Sequence, residues 1–263
     1  MQLKITNGLG DEYLLDPKFK YTISPFTRRV NTTSRYGKSG GVVTGDEQVD
    51  VRDISLKYNI LSENDLSYLD ELNGLIGFFT PDDGPFYLVD TDNNRRALIR
   101  YYTGNDEPLD GTVLRVGPTN MLGLKMLDSY WEDLNAQYVY SDSDGIATNG
   151  ELTIINDGEA DCYPIIRIAA LASNSDFTLT NTTLRISTRM GTNSFVLGTT
   201  IILDSINGTM MLDSGSGSQS NIADALFNGT GHIRFSRGTN TIRYQSIYGS
   251  VEIEIEYRRR WPF

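Results

Sequence analysis

The 263-residue sequence contains one cysteine and one histidine. Cys162 alone can form no internal disulfide and no cysteine-based metal site, so packing must supply the stability. His232 is the sole imidazole. Any Ser-His-Asp or Cys-His relay would have to run through it, and a zinc site has no histidine pair to use. In His232-Ile233-Arg234-Phe235 the histidine alternates onto the face opposite Ile233 and Phe235, with no nucleophile elbow nearby. It reads as an exposed strand residue. Long apolar runs are also missing: nothing approaches the roughly 20 residues that cross a bilayer as a helix. The opening "MQLKITNGLGDEYLLD" has no apolar stretch of the secretory-signal kind. These absences predict folding in a reducing cytoplasm and no membrane insertion. Positive charge is in deficit, with 23 Lys and Arg against 34 Asp and Glu, a net charge of -11 and a pI near 4.6. Affinity for nucleic acid comes from neutralising phosphate, so no nucleic-acid partner is expected.

What is present is β-forming. Apolar and charged fractions of 39% and 22% suit a globular chain, and 25 glycines punctuate runs rich in Thr, Tyr, Ile, Val and Phe. "QVDVRDISLKYNI", residues 48–60, alternates but slips phase at Arg52-Asp53, which predicts a bulge or two short strands. Ser62 then serves as a helix N-cap with Glu63 and Asp65 in the first turn. Leu66, Leu69, Leu72, Ile76 and Phe79 recur at the spacing of one buried helical face, and Pro81 with "DDGP" ends it. Phe86 to Asp90 and Ala97 to Tyr102 flank an Asp92-Asn93-Asn94 turn and read as a hairpin.

A polar connection, "YSDSDGIATNGE" from Tyr140 to Glu151, marks the expected domain boundary. It divides an N-terminal domain, 1–140, from a C-terminal domain, 151–263. Beyond it the cues are all β, with strands expected at 152–155, 163–169, 177–179, 183–187, 200–203, 209–212, 232–236, 241–245 and 251–257. Many short strands with frequent turns indicate a β-sandwich. "SGSGSQS", Ser214 to Ser220, reads as a flexible loop inside it. In the closing "SVEIEIEYRRRWPF", Val251, Ile253, Ile255 and Tyr257 share one face and the three glutamates the other. The same phase puts Arg258 and Arg260 beside the glutamates, and the strand is expected to end or bend at Arg259.

Three stretches approach known sites and fall short. Asp142, Asp144, Gly145 and Glu151 occupy the third, fifth, sixth and twelfth positions of an EF-hand loop, but its first ligand position is Tyr140. An acidic surface turn is the better reading, and no metal is expected. "GKSGG", Gly37 to Gly41, resembles the end of a phosphate-binding loop, but the required earlier glycine is Thr32. It reads as a glycine-rich loop. A glycosidase needs only two carboxylates, and no pair stands out. No catalytic constellation and no cofactor site emerges.

The order of segments resembles the distal tail protein family of long-tailed bacteriophages. The resemblance rests on "VDVRDISLKYNI", on "GFFTPDDGP" closing the helix, and on the hairpin "FYLVDTDNNRRALIRYY". It continues through "GEADCYPIIRI", "LTNTTLRI", "GTTIILD" and "RGTNTIRYQSIYGSVEIEIEYRRRW", covering most of the chain from Val49 onward. Arg237 and Trp261 stand where the family often has proline and tyrosine. The resemblance implies a mainly β protein: an N-terminal β-barrel or sandwich with one helix that forms a hexameric ring, and a galectin-like or carbohydrate-module-like C-terminal sandwich. It implies a hub, not an enzyme, at the distal end of the virion tail, joining tail tube to tip or baseplate protein and carrying receptor-binding proteins. A ring subunit makes heterologous contacts on two faces, for which segments 86–102 and 27–43 are natural arms. Two other readings stay open. The sandwich could bind host-surface saccharide through Tyr244, Tyr248 and Trp261, or the chain could be a polysaccharide-degrading enzyme.

Overall fold

Period-two alternation, which puts successive side chains on opposite faces, governs nearly every described segment. The computed structural model describes residues 2–15, 20–24, 28–29, 32–34, 41–43, 48–49, 52–58, 74, 77–79, 84–103, 120–142, 144–172, 176–191, 195–215, 218–222, 232–246 and 249–262. They divide into two units, Met1–Leu134 with Pro262–Phe263, and Asn135–Trp261.

The first unit contains β1 (Leu3–Thr6), β2 (Glu12–Leu15), β3 (Lys20–Ile23), β4 (Arg28–Arg29), β5 (Thr32–Ser34), β6 (Gly41–Val43), β7 (Gln48–Val49), β8 (Arg52–Tyr58), β9 (Phe86–Asp90), β10 (Arg95–Thr103), β11 (Asn120–Met126) and β12 (Trp131–Asp133). Its main sheet runs β2-β1-β9-β10-β11-β8-β3, antiparallel throughout, with β12 pairing the start of β10. Ile5, Ile54, Leu88, Ala97, Leu124 and Met126 are sealed inside. Beside them Phe78, Phe79 and Phe86 meet at centroid distances of 5.3–6.0 Å. The phase slip at Arg52 is resolved as two strands, since β7 pairs β4 while β8 joins the main sheet. Arg52 itself is buried. Its Nε donates to the Ser24 carbonyl at 3.0 Å and its Nη1 to the Pro262 carbonyl at 2.9 Å, and burial lowers its pKa.

The hairpin of β9 and β10 forms where expected, but it is not an arm. Its strands are gripped by β1 on one side and β11 on the other, so its backbone is spent inside the sheet. Of the segment 27–43, the described parts are β4, which pairs β7, and β5 and β6, which pair each other. The expected helix lies largely outside the described residues, as do Leu66, Leu69, Leu72 and Ile76. Gly74 and Gly77 are helical, Phe78 N–H donates to the Gly74 carbonyl at 3.1 Å, and Phe79 is buried.

The second unit is a sandwich of β13 (Gln137–Tyr140), β14 (Glu151–Asn156), β15 (Ile165–Ala170), β16 (Asp176–Asn181), β17 (Ile186–Gly191), β18 (Thr200–Asp204), β19 (Thr209–Asp213), β20 (Gln219–Asn221), β21 (Gly238–Ser246) and β22 (Val251–Tyr257). One sheet is ordered β13-β22-β15-β18-β19-β20 and the other β14-β21-β16-β17. Their inner faces share one core, in which Ile166, Ile168, Ile201 and Ile255 meet Ile154, Leu179, Ile242 and Tyr244. Three expectations shift. The run 182–185 is a turn, so β17 starts later than read. Around His232 to Ser236 the ladder shrinks to one bridge, Phe235 with Cys162. The end of "SGSGSQS" is strand β20, at a sheet edge. The connection after Tyr140 also packs into this unit: Ile146 is buried and exchanges backbone hydrogen bonds with Val251 at 2.7 and 3.2 Å.

Candidate functional site

The closing strand β22 keeps its alternation, with Val251, Ile253, Ile255 and Tyr257 buried and the glutamates outward. Residues opposite one another in an antiparallel ladder share a face. Tyr138 faces Glu256, Tyr140 faces Glu254, and Glu254 faces Arg167 on β15. A row of tyrosine, glutamate and arginine therefore runs across the outside of the six-stranded sheet. The Arg167 guanidinium spans both carboxylates, Nη1 to Glu254 Oε1 at 2.8 Å and Nη2 to Glu256 Oε2 at 2.9 Å. Partial burial works against its charge, but the hydrogen bonds and fields of Glu256 and Glu254 outweigh that, and its pKa is raised. Tyr138 and Tyr140 are 50% and 60% exposed, their rings 6.1 Å apart and within 10° of parallel. Next to them is a depression of about 320 Å³, lined by Tyr140, Asp142, Arg167, Thr200, Glu252 and Glu254. A second depression, of about 450 Å³, is lined by Asn149, Asp176, Thr178, Arg189 and Gln245 and is bridged by the Arg189–Asp176 pair at 2.8 Å.

The residues proposed from sequence as a sugar platform do not come together. Tyr244 is fully buried in the sandwich core with Phe177 at 6.0 Å, because its strand alternates Asn240, Ile242 and Tyr244 inward; it offers no surface to a ligand. Tyr248 lies outside the described residues. Trp261 is half-buried, with the Arg259 guanidinium 5.9 Å from its ring centre. Arg260 departs from the outward placement: β22 ends at Tyr257, the chain bends, and Arg260 turns inward over Tyr163 at 5.3 Å, donating to the Asp161 carbonyl at 3.0 Å. His232 is exposed. Asp142 and Asp144 are exposed too, and Glu151 is taken up by Arg243, whose Nε donates to it at 2.7 Å. Of the "GKSGG" stretch only Gly41 is described, at the start of β6. Among the described residues no group of His, Cys, Asp and Glu is arranged to hold a metal. Tyr138 and Tyr140 were absent from the sequence-based site. Their signal is two tyrosines at i and i+2 ahead of an acidic turn.

The described residues form two β units. Comparison with known proteins shows what they resemble. Residues 9–110 match the phage tail protein RIFT-related domain family. The fold matches the crystal structure of SPP1 Dit, described as a paradigm of the hub adsorption apparatus in phages infecting Gram-positive bacteria. That match covers 98% of both chains, with a TM-score of 0.69 and 14% identity. Chains of the phage p2 baseplate in its activated conformation also match at 10% identity. The form with Sr covers 97% of each chain at a TM-score of 0.52, and the form with Ca covers 100% of this chain and 99% of the other at 0.54. No curated protein matches the chain by sequence. The fold is thus shared with SPP1 Dit, and the mainly β architecture that the resemblance implies is borne out.

Proposed function

We propose that the protein is a structural hub at the distal end of a phage tail, a virion component assembled in the host cytoplasm. The observation that carries this reading is the fold match to SPP1 Dit over 98% of both chains, supported by the tail-domain family match at residues 9–110. In this role the first unit forms a hexameric ring between tail tube and tip or baseplate protein, and the sandwich supports receptor-binding proteins. The hub performs no reaction of its own. Ring closure needs heterologous contacts on two faces of each subunit. The β1–β2 hairpin offers one candidate patch: Leu9 and Leu14 are 72% and 61% exposed, and β2 is the sheet's edge strand. Exposed apolar side chains grouped at an edge favour association.

Native mass spectrometry of the purified chain, alone and with its neighbouring tail proteins, tests the reading. A six-subunit species is expected, and L9D/L14D should lower its fraction without altering the far-ultraviolet circular dichroism. A strictly monomeric chain under both conditions would overturn the ring.

A further inference from the structure

We infer that the outer face of the six-stranded sheet, at its β13 edge, is a binding site for a neutral saccharide, with Tyr138 and Tyr140 as its stacking platform. The inference stands independently of the hub reading. Among the other described tyrosines of the sandwich, Tyr163 is half-buried and two are withdrawn from water. Tyr244 is buried, and Tyr257 is buried with its hydroxyl donating to the Ile155 carbonyl at 2.8 Å. Tyr138 and Tyr140 alone among the described sandwich tyrosines are at least half exposed, and they sit side by side. Their faces carry the negative lobe of the ring quadrupole. The C–H groups on one face of a pyranose carry partial positive charge, so a sugar ring lies flat on such a surface.

The adjoining polar groups suit hydroxyls. Each sugar hydroxyl donates one hydrogen bond and can accept others, so it needs acceptors and donors in fixed positions. Glu254, Glu252 and Asp142 supply acceptors around the depression, and Arg167 supplies donors. Glu254 and Glu256 hold the guanidinium from two sides, so it is oriented before any ligand arrives. A volume of about 320 Å³ lies at the small end of the ligand-site range of about 300–1,000 Å³. That fits a short segment of a longer saccharide. β13 is an edge strand, which lets a chain continue past the platform.

Charge selects among sugars. Asp142, Glu252, Glu254 and Glu256 surround the single Arg167, so the face repels sulfated, phosphorylated or sialylated glycans and admits neutral ones. The same acidity disfavours nucleic acid.

The test uses the full chain on an array of neutral gluco-, galacto- and N-acetylglucosamine oligosaccharides with their sulfated and sialylated counterparts. Hits are then titrated by calorimetry. Binding to neutral members alone is expected. Y138A/Y140A should weaken it about tenfold or more, the equivalent of about 1.4 kcal/mol, with the thermal midpoint unchanged because both side chains lie at the surface. Y138F/Y140F, which keeps the ring faces, should retain binding. A wild-type chain that binds no neutral glycan, or an alanine variant that binds as wild type does, would overturn the inference. A blank array together with loss of subunit assembly in Y138A/Y140A would also overturn it, assigning the tyrosines to a protein contact.

Discussion

Asn156, Asn181 and Asn240 are fully buried in the sandwich, where a carboxamide is tolerated only if its donors and acceptors are all engaged. Asn240 Nδ2 donates to the carbonyls of Ser236 at 2.7 Å and Gly238 at 3.1 Å. Its Oδ1 accepts from Ser236 N–H at 3.0 Å and from Asn181 Nδ2 at 3.1 Å. Asn181 Nδ2 also donates to the Arg234 carbonyl at 2.7 Å, and Asn156 Nδ2 to the carbonyls of Ala160 and Phe235 at 3.0 and 3.2 Å. Three asparagines thus fix the irregular chain from Arg234 to Gly238 in place of a strand ladder. N240A should destabilise the sandwich by roughly 1–3 kcal/mol for each group stranded without a partner. N240D should do likewise, because a carboxylate cannot donate to the two carbonyls. Urea unfolding that shows a wild-type midpoint for both variants would refute this. Asn181 and Asn240 stand inside "LTNTTLRI" and "RGTNTIRY", so the sequence marks them, but asparagine reads there as a turn residue. Burial comes from strands far away in the chain.

Three hairpins share one device at the scale of the element. In each, a side-chain oxygen accepts the N–H groups two and three residues on, and the fourth residue takes a positive φ. Asp90 does so for Asp92 and Asn93 at 3.1 and 3.3 Å, with Asn94 at φ 53°. Asn181 does so for Thr183 and Leu184 at 3.0 and 3.2 Å, with Arg185 at φ 58°. Asp204 does so for Ile206 and Asn207 at 2.9 and 3.0 Å, with Gly208 at φ 65°. Asparagine and glycine tolerate the left-handed region, whereas arginine pays about 1–2 kcal/mol there. R185G should therefore stabilise the protein by about 0.5–1 kcal/mol after the glycine's greater unfolded-state entropy is subtracted. A lowered thermal midpoint would contradict the assignment. "DTDNN" was readable as a turn because apolar alternation flanks it. "NTTLR" was not, since Thr183 and Leu184 look strand-forming. Alternation also revealed β22, while β20, Gln219-Ser220-Asn221, is polar and exposed throughout and carries no such signal. β13 is hidden because it has only four residues, and the last of them, Tyr140, opens the polar connection.

At the scale of the molecule, every residue of the sandwich core lies between Val139 and Tyr257. The second unit therefore has all the apolar surface it needs. A fragment covering 135–261 should unfold cooperatively on its own, with dispersed amide resonances; a fragment lacking both would refute the division at Leu134. The division falls at Leu134, ahead of the composition shift after Tyr140, and the first unit's discontinuity carries no sequence signal, because nothing in "RRRWPF" announces a partner on β8. Arg52 donates to the Pro262 carbonyl across 210 residues of chain, and that contact must wait during synthesis. At roughly 5–20 residues per second, a ribosome that has made Arg52 needs about 10–40 s more to make its partner. The sandwich gains nothing from the delay, because its strand β22, which joins β13 to β15, ends at Tyr257, just ahead of Pro262; both units are therefore completed together, and neither can close early.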